Sequence, residues 1–163
     1  MSPAKDKLTE AERSFLDKIV VHDEPPPKLG ETVFEREIPS DPALVTLLVV
    51  RALEFLKSES FIHQHDETKI ALCLEEALQN AVKHGSLQDF KKKVHFRIFL
   101  SDREWGVAIS DQGSGFDPKK IPDPVQGEGL WGESGRGLFI ISHYMDRAVY
   151  YNGGSTVVMA NNL

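Results

Sequence analysis

The sequence contains a single cysteine and fewer basic than acidic residues, and each shortage excludes a class of protein. One cysteine, Cys73, excludes an internal disulfide and is typical of a reducing compartment. Its apolar neighbours on a predicted helix indicate a buried, inert thiol rather than a nucleophile. The formal net charge of -6 argues against duplex DNA or an anionic membrane as the main partner, because both attract clustered lysine and arginine.

Long hydrophobic runs are also missing. The longest largely apolar stretch, from Leu44 to Val50, is far too short to span a bilayer. The first residues are polar and charged, so we expect no signal peptide and a cytoplasmic location. The 163 residues, of which 40% are hydrophobic and 27% charged, predict one globular domain with a substantial core.

Residues 1–28 are predicted to be an extension in front of a domain that spans residues 29–163. Thr9, followed three residues later by Glu12, matches a capping box and predicts a short amphipathic helix. The segment HDEPPPK predicts an extended linker, because three prolines stiffen the chain. His22 in this segment resembles a phosphoacceptor histidine, but we interpret it as a linker residue because no long helical hairpin flanks it.

The next two predicted elements are a strand and a helix. ETVFEREIP, residues 31–39, alternates like a strand. In SDPALVTLLVVRALEFLK, Asp41 is placed to cap a helix and Pro42 occupies its first turn. This helix is apolar on more than one face, so we expect one face to pack on a sheet and the surplus to meet a second partner, such as another copy of the chain.

A second helix follows a polar connection. Asp66 stands at its N-terminal capping position, and the helix is predicted to run to His84, with Gly85 after its last turn. His63 and His65 in the connection have a spacing that could chelate a metal. Further ligands are missing nearby, so we interpret this pair as polar loop residues.

The second half of the chain contains two predicted hairpins. VHFRIFL and EWGVAIS alternate and turn near residues 101–103, and RAVYYNGGSTVVMA turns at residues 152–154. A third helix, GRGLFIISHYM, precedes the last hairpin. This order predicts an α+β fold, a two-layer sandwich with the helices on one face of the sheet. A Rossmann fold is excluded because the repeated βαβ alternation is missing.

Glu76 and Asn80 form the first polar cluster that could carry chemistry. They are one helical turn apart, so both lie on one helix face about 6 Å from each other. A carboxylate and an amide oxygen in that arrangement suit a hard cation such as Mg2+, and Glu76 could equally act as a general base. The alternative is an ordinary solvated helix face.

The second cluster is DQGSGFDP, which begins at a predicted strand end. Asp111 is followed by Gly113 and Gly115, so a flat ligand could approach the backbone without meeting side chains. The carboxylate could then accept a hydrogen bond from an amino group such as that of adenine. A tight turn with a capping aspartate would have the same sequence.

The third cluster is ESGRGLFIIS, in which Gly135 and Gly137 flank Arg136 at the predicted start of the third helix. Free amides at a helix start, with no side chains in the way, form a site suited to phosphate. Residues 119–134, just before it, contain too many glycines and prolines for regular structure, which is typical of a functional lid or of disorder.

Together these motifs resemble the GHKL-type ATPase domain, the fold shared by histidine kinases, gyrase, Hsp90-type chaperones and MutL. The similarity is greatest to the small RsbW-type anti-sigma factors and serine-protein kinases. EEALQNAVKHG resembles the family's asparagine-containing helix, DQGSGFDP followed by IPDP its aspartate–glycine box, and SGRGLFIISHYMDRAVYYNGGSTVVM its second glycine box, helix and final hairpin. The resemblance covers about residues 30 to 160 and implies a Bergerat-type sandwich with a mixed, mostly antiparallel sheet.

The resemblance also implies roles for individual residues. Glu76 would be the general base for phosphoryl transfer, and Asn80 would hold the Mg2+ that bridges the phosphates of ATP. Asp111 would bind the adenine amino group, and Thr156 would reach the adenine through water. The other residues that the resemblance places at the nucleotide are Lys83, His84, Gly113, Gly115, Gly135, Arg136, Gly137 and Leu138.

The implied function is that of an ATP- and Mg2+-dependent serine/threonine kinase in a bacterial partner-switching pathway. Its substrate would be a serine of a STAS-type anti-anti-sigma protein, and its other partner a sigma factor or another output protein; the kinase itself would be a homodimer. The first helix has no basic residue before Arg51, where some family members use one to touch partners, so the partner's identity stays open. Two alternatives are an ATP-gated binding switch without phosphoryl transfer and a trans-acting catalytic fragment of a histidine kinase.

Overall fold

The structure, a computed structural model, describes residues 19–87, 89–115 and 130–163. The predicted N-terminal helix and most of the predicted lid lie outside these ranges. Within them, no helix has the length and apolar character needed to cross a membrane.

Within the described residues, five strands form the sheet: β1 (Glu31–Pro39), β2 (Lys93–Leu100), β3 (Glu104–Ser110), β4 (Arg147–Tyr151) and β5 (Thr156–Asn162). Their spatial order is β1-β2-β3-β5-β4, and every neighbouring pair is antiparallel. A parallel bridge between Val21 and Tyr150 adds the chain before β1 to the β4 edge. The predicted, mostly antiparallel character of the sheet and both predicted hairpins are therefore confirmed, whereas the five strands themselves pair only in antiparallel fashion.

Three helices pack together with the sheet: α1 (Val45–Ser58), α2 (Glu67–Gln79) and α3 (Leu130–Tyr144). Asp41 caps a short 3-10 turn before α1, because its Oδ1 accepts a hydrogen bond from the Ala43 amide at 2.9 Å. Asp66 stands at the N-cap of α2, although its side chain makes no capping hydrogen bond. The α+β sandwich predicted from the element order is confirmed.

The start of α3 differs from the sequence-based prediction. The helix begins at Leu130, five residues before Gly135, which was predicted to be at its start. From the sequence, Gly132 and Gly135 were expected to interrupt a helix. A glycine inside a helix lowers the stability of the helix by only about 1 kcal/mol relative to alanine, and tertiary packing can outweigh that loss.

The main core lies between the sheet and the helices. Its largest fully buried side chains include Phe96, Trp105 and Met159 from the strands and Leu74 and Leu78 from α2. Cys73 is also fully buried, and desolvation, with the negative charge of Glu76 nearby, raises the pKa of its thiol to about 12. The thiol is therefore protonated at neutral pH, as expected for an inert core cysteine.

α1 has the surplus apolar surface that the sequence predicted. Leu48 and Leu53 are buried in the core, whereas Leu47 and Val50 are 55% and 45% exposed on another face. A partner for this second face, such as another copy of the chain, stays a prediction.

Apolar side chains also bury part of the sheet's other face. The ring of Phe99 lies across Gly106 of the paired strand, where a Cβ would collide with it. Leu29, which was predicted at the start of the domain, packs against this second cluster. The buried members of the cluster are Phe99, Ala108, Tyr151, Val158 and Ala160.

Candidate functional site

Two of the three predicted clusters, the helix with Glu76 and Asn80 and the loop of Asp111, meet at one end of the sheet, where β3 ends and β5 begins. The Asp111 amide donates to the Ser155 carbonyl at 2.9 Å, which ties the loop after β3 to the turn before β5. The carboxylate of Asp111 lies against Gly85, at the end of the helical segment that carries Glu76 and Asn80. The site therefore has three parts: the end of this helical segment, the loop after β3 and the β4–β5 turn.

The helical segment changes its winding at Asn80. After Gln79, residues Asn80–Gly85 form a π-helical turn, and the Ser86 amide donates to the carbonyl of Ala81, five residues earlier, at 2.9 Å. The prediction of a regular helix to His84 is therefore wrong in detail. A π-turn holds one residue more than an α-turn and is frequent at functional sites. Here it ends with Gly85 against Asp111, where any side chain would collide with the carboxylate.

Glu76 and Asn80 lie against the backbone of α3. A Cβ added to Gly137 would stand 2.6 Å from Glu76 Oε2 and 3.5 Å from Asn80 Nδ2. The missing side chain therefore leaves room for both polar groups beside α3. The structure thus brings together Glu76, Asn80 and Gly137.

The prediction that Gly135, Arg136 and Gly137 supply free amides at a helix start is wrong. Because α3 begins at Leu130, the amides of residues 135–137 lie inside the helix and not in its first turn, where amides lack an intrahelical partner. Leu138 is only 6% exposed and packs in the core, so its side chain does not face a ligand. Backbone contacts of residues 135–138 with a nucleotide stay predictions.

The Asp111 carboxyl is half-buried and bonds to the loop that follows it. Its Oδ1 accepts a hydrogen bond from the Gly113 amide at 2.7 Å. Burial raises the pKa of the carboxyl to about 6, against the opposing effects of this hydrogen bond and of Lys92. A half-buried carboxylate that is ionised near neutral pH is a good acceptor for a ligand's amino group.

Gly113 and Gly115 are needed for close backbone packing. A side chain at Gly113 would collide with the carbonyl of Gly85, and one at Gly115 with the carbonyl of Gly153. Gly115 also has a φ of 80°, which L-residues rarely adopt. The two glycines hold the loop after β3 between the π-turn and the β4–β5 turn.

Thr156 faces away from the helices, because it alternates with Val157, which lies in the main core. Its Oγ1 is 2.9 Å from Ser110 Oγ and accepts a hydrogen bond from Asn152 Nδ2 at 3.0 Å. Sequence reasoning missed Ser110 and Asn152. The register between β3 and β5 would have indicated Ser110, because this residue pairs directly with Thr156.

Lys83 and His84 lie within the π-turn and are partly buried. They are therefore on the same segment as Asn80. The rings of His63 and His65 stack with 5.6 Å between centroids. Over the described ranges, no group of three or more histidine, cysteine, aspartate or glutamate side chains is arranged to hold a metal ion.

A comparison with protein families identifies this arrangement. Residues 38–161 match the family described as histidine kinase-like ATPase domain, which is more than half of the chain. The chain belongs to the histidine kinase-like ATPase family. The family predicted from the sequence motifs is thereby confirmed, and membership of an ATPase family implies the use of ATP.

This histidine kinase-like ATPase is also similar to a curated protein, serine/threonine-protein kinase BtrW of Bordetella bronchiseptica. The two are 29% identical over 83 residues, which cover 50% of this chain and 58% of the kinase. The aligned part thus spans less than two thirds of the relative's length. The similarity agrees with the RsbW-type branch named by the motifs.

Replacing Gly137 with alanine should displace Glu76. The added Cβ would meet the end of a flexible side chain, so the carboxylate would move rather than the helix. We expect ATP turnover by Gly137→Ala to fall about 10²-fold, as for a misplaced catalytic group. The melting temperature should not fall, because alanine favours the helix. Ser142→Ala, at an exposed position of α3, is the control. Unchanged turnover would show that this contact does not matter.

Asp111→Asn should change the pH dependence of stability. The carboxyl ionises near 3.8 in the unfolded chain and near 6 in the folded protein, so its contribution to stability is lost as the pH rises through 6. The stability of Asp111→Asn relative to wild type should therefore increase from pH 4 to pH 7. Urea unfolding of both proteins at the two pH values measures this difference. A difference that is constant with pH would contradict the raised pKa.

Proposed function

We propose that the protein is an ATP-dependent serine/threonine kinase that phosphorylates a serine of a STAS-type anti-anti-sigma protein. The observation that supports this most is the position of Glu76, one turn before Asn80 and beside Gly137 of α3. A carboxylate next to a group that can help hold phosphates is placed to act on an approaching hydroxyl. The similarity to a serine/threonine kinase supports the same reaction type.

Asn80 would hold the Mg2+ that accompanies ATP. Its side chain and that of Glu76 lie near the same point of α3, at Gly137, where a side chain would otherwise fill the space. Mg2+ is usually held by one or two protein oxygens together with substrate phosphates, so this small donor set fits. When bound, the ion neutralises charge on the phosphates.

The chain's own contribution to the transfer is positioning and proton removal. Glu76 accepts the proton of the substrate serine, and the serine oxygen attacks the γ-phosphorus of ATP. The bond between the γ-phosphorus and its bridging oxygen breaks, and ADP leaves with that bond's electrons. The products are phosphoserine, ADP and a proton first held by Glu76.

The adenine end of ATP would lie at the loop after β3. The Asp111 carboxylate would accept a hydrogen bond from the adenine amino group, beside the open backbone of Gly113 and Gly115. Lys83 and His84, in the π-turn, would lie near the phosphates or the base of the lid. Thr156 and its hydrogen-bonded neighbour Ser110 face away from the helices, so a water-mediated contact of Thr156 with adenine rests on the family resemblance alone.

The proposed partners extend this reaction. Besides the STAS-type substrate, a sigma factor or another output protein would be the alternative partner, as in RsbW-type proteins. The exposed face of α1 with Leu47 and Val50 is the proposed homodimer surface.

Glu76→Gln should separate binding from transfer. We expect an affinity for ATP within about twofold of wild type. The rate of phosphoryl transfer should fall by about 10²- to 10⁴-fold, which is the usual contribution of a general base to the rate. Intact mass spectrometry of a STAS-type protein, incubated with ATP and either enzyme, measures the added phosphoryl group. Glu75→Gln, which changes the exposed neighbouring carboxylate, is the matched control.

Two outcomes would contradict the proposal. Transfer by Glu76→Gln at the wild-type rate would remove Glu76 from the role of base. Wild-type protein that binds both ATP and the STAS-type protein but transfers nothing would instead show an ATP-gated binding switch.

A further inference from the structure

The chain in front of β1 forms a parallel bridge with β4, although the sequence predicted only a linker there. The His22 amide donates to the Tyr150 carbonyl at 2.9 Å, and the Tyr150 amide donates to the Val20 carbonyl at 3.0 Å. The rings of His22 and Tyr151 stack with 5.3 Å between centroids. We define residues Val20–Glu24 as the edge segment.

The edge segment continues past the end of β4 and bonds to the turn before β5. The Asn152 amide donates to the Glu24 carbonyl, and the Gly153 amide donates to the His22 carbonyl, both at 2.9 Å. Three consecutive residues of this turn have positive φ, namely 53° at Asn152, 68° at Gly153 and 104° at Gly154. Such a turn has little regular hydrogen bonding of its own, so bonds from outside help to hold its shape.

The same turn contacts two parts of the nucleotide site. The carbonyl of Gly153 stands where a side chain of Gly115 would be, so it packs directly on the loop after β3. Asn152 Nδ2 donates to Thr156 Oγ1, which in turn meets Ser110. A shift of the β4–β5 turn would therefore move Gly115 and the hydroxyl groups of Thr156 and Ser110.

The chain that follows the edge segment crosses the sheet and anchors the edge segment to the domain. β4 and β1 are opposite edges, four strand spacings or about 19 Å apart. The seven residue steps from Glu24 to Glu31 cover about 22 Å in a polyproline-type conformation, which Pro25–Pro27 favours. Leu29 packs on the buried cluster of the sheet's outer face. The edge segment is thus held by hydrogen bonds to β4, and the chain that follows it is held by the contact of Leu29 with the outer face of the sheet.

We propose that the edge segment positions the nucleotide site through the β4–β5 turn. It acts through the turn's backbone and makes no contact with the ligand itself. This inference rests on the proposed function, because it requires the loop after β3 to bind the adenine end of ATP. Its consequence is that nucleotide binding and edge-segment docking strengthen each other by the same factor.

His22→Pro tests the inference in the full-length protein. Proline removes the amide that donates to Tyr150 and disturbs the carbonyl that accepts from Gly153. We expect the Kd for ATP, measured by calorimetry well below the melting temperature, to rise about tenfold. Asp23→Pro is the matched control, because the Asp23 amide donates to no backbone carbonyl in the described chain. His22→Ala keeps the amide and removes only the ring.

Hydrogen exchange of the wild-type protein gives a second readout that does not depend on a variant. Saturation with ATP should slow exchange of the Asn152 and Gly153 amides, whose acceptors are in the edge segment. A purely structural role for the segment would change stability and leave both the Kd and this protection unchanged.

The outcomes separate the inference from the proposed function. Wild-type protein that binds no ATP would overturn the proposed function and the coupling with it. Wild-type protein that binds ATP without slower exchange at Asn152 and Gly153 would overturn the coupling alone. Equal Kd values for His22→Pro, Asp23→Pro and wild type would do the same.

Discussion

The close contact between Gly85 and Asp111 is the constraint on which the site depends. No side chain fits at Gly85, because the Asp111 carboxylate occupies that space, and none fits at Gly113, because the Gly85 carbonyl does. This contact joins the end of the π-turn to the end of β3. It places the helix with Glu76 and Asn80 beside the loop that would bind a base, so the phosphate and adenine ends of the site have a defined separation.

The same contact accounts for the site's electrostatics. Packing against backbone desolvates Asp111 and raises the pKa of its carboxyl to about 6, whereas the Gly113 amide and Lys92 oppose that shift. The carboxylate is therefore ionised but poorly solvated at neutral pH, which strengthens a hydrogen bond to a ligand's donor. At Gly137, close backbone packing likewise leaves Glu76 and Asn80 next to α3.

Much of the fold could be predicted because its signals are local. The alternation in ETVFEREIP coincides with β1, and NGG at residues 152–154 marks the final turn. Glu76, Asn80 and Asp111 could be selected as candidate site residues because helical spacing and a glycine-rich strand end are visible in the sequence. The structure confirms that the helix with Glu76 and Asn80 meets the loop of Asp111.

The features that could not be predicted depend on tertiary contacts. The π-turn at Asn80 requires Gly85 to meet Asp111, which no local pattern shows. The earlier start of α3 reflects packing that outweighs the weak helix preference of Gly132 and Gly135. Residues 20–24 looked like a linker because three prolines follow them, whereas their partner, β4, is more than 120 residues away in the chain.

The most direct measurement of the central claim is a calorimetric titration with ATP, with and without Mg2+, of wild-type protein and of Asn80→Ala. If Asn80 and the loop of Asp111 form one nucleotide site, wild type will bind ATP more tightly with Mg2+, and Asn80→Ala will lose that gain. Wild-type protein that binds no ATP in either condition, or an Asn80→Ala variant with the full Mg2+ effect, would contradict the account.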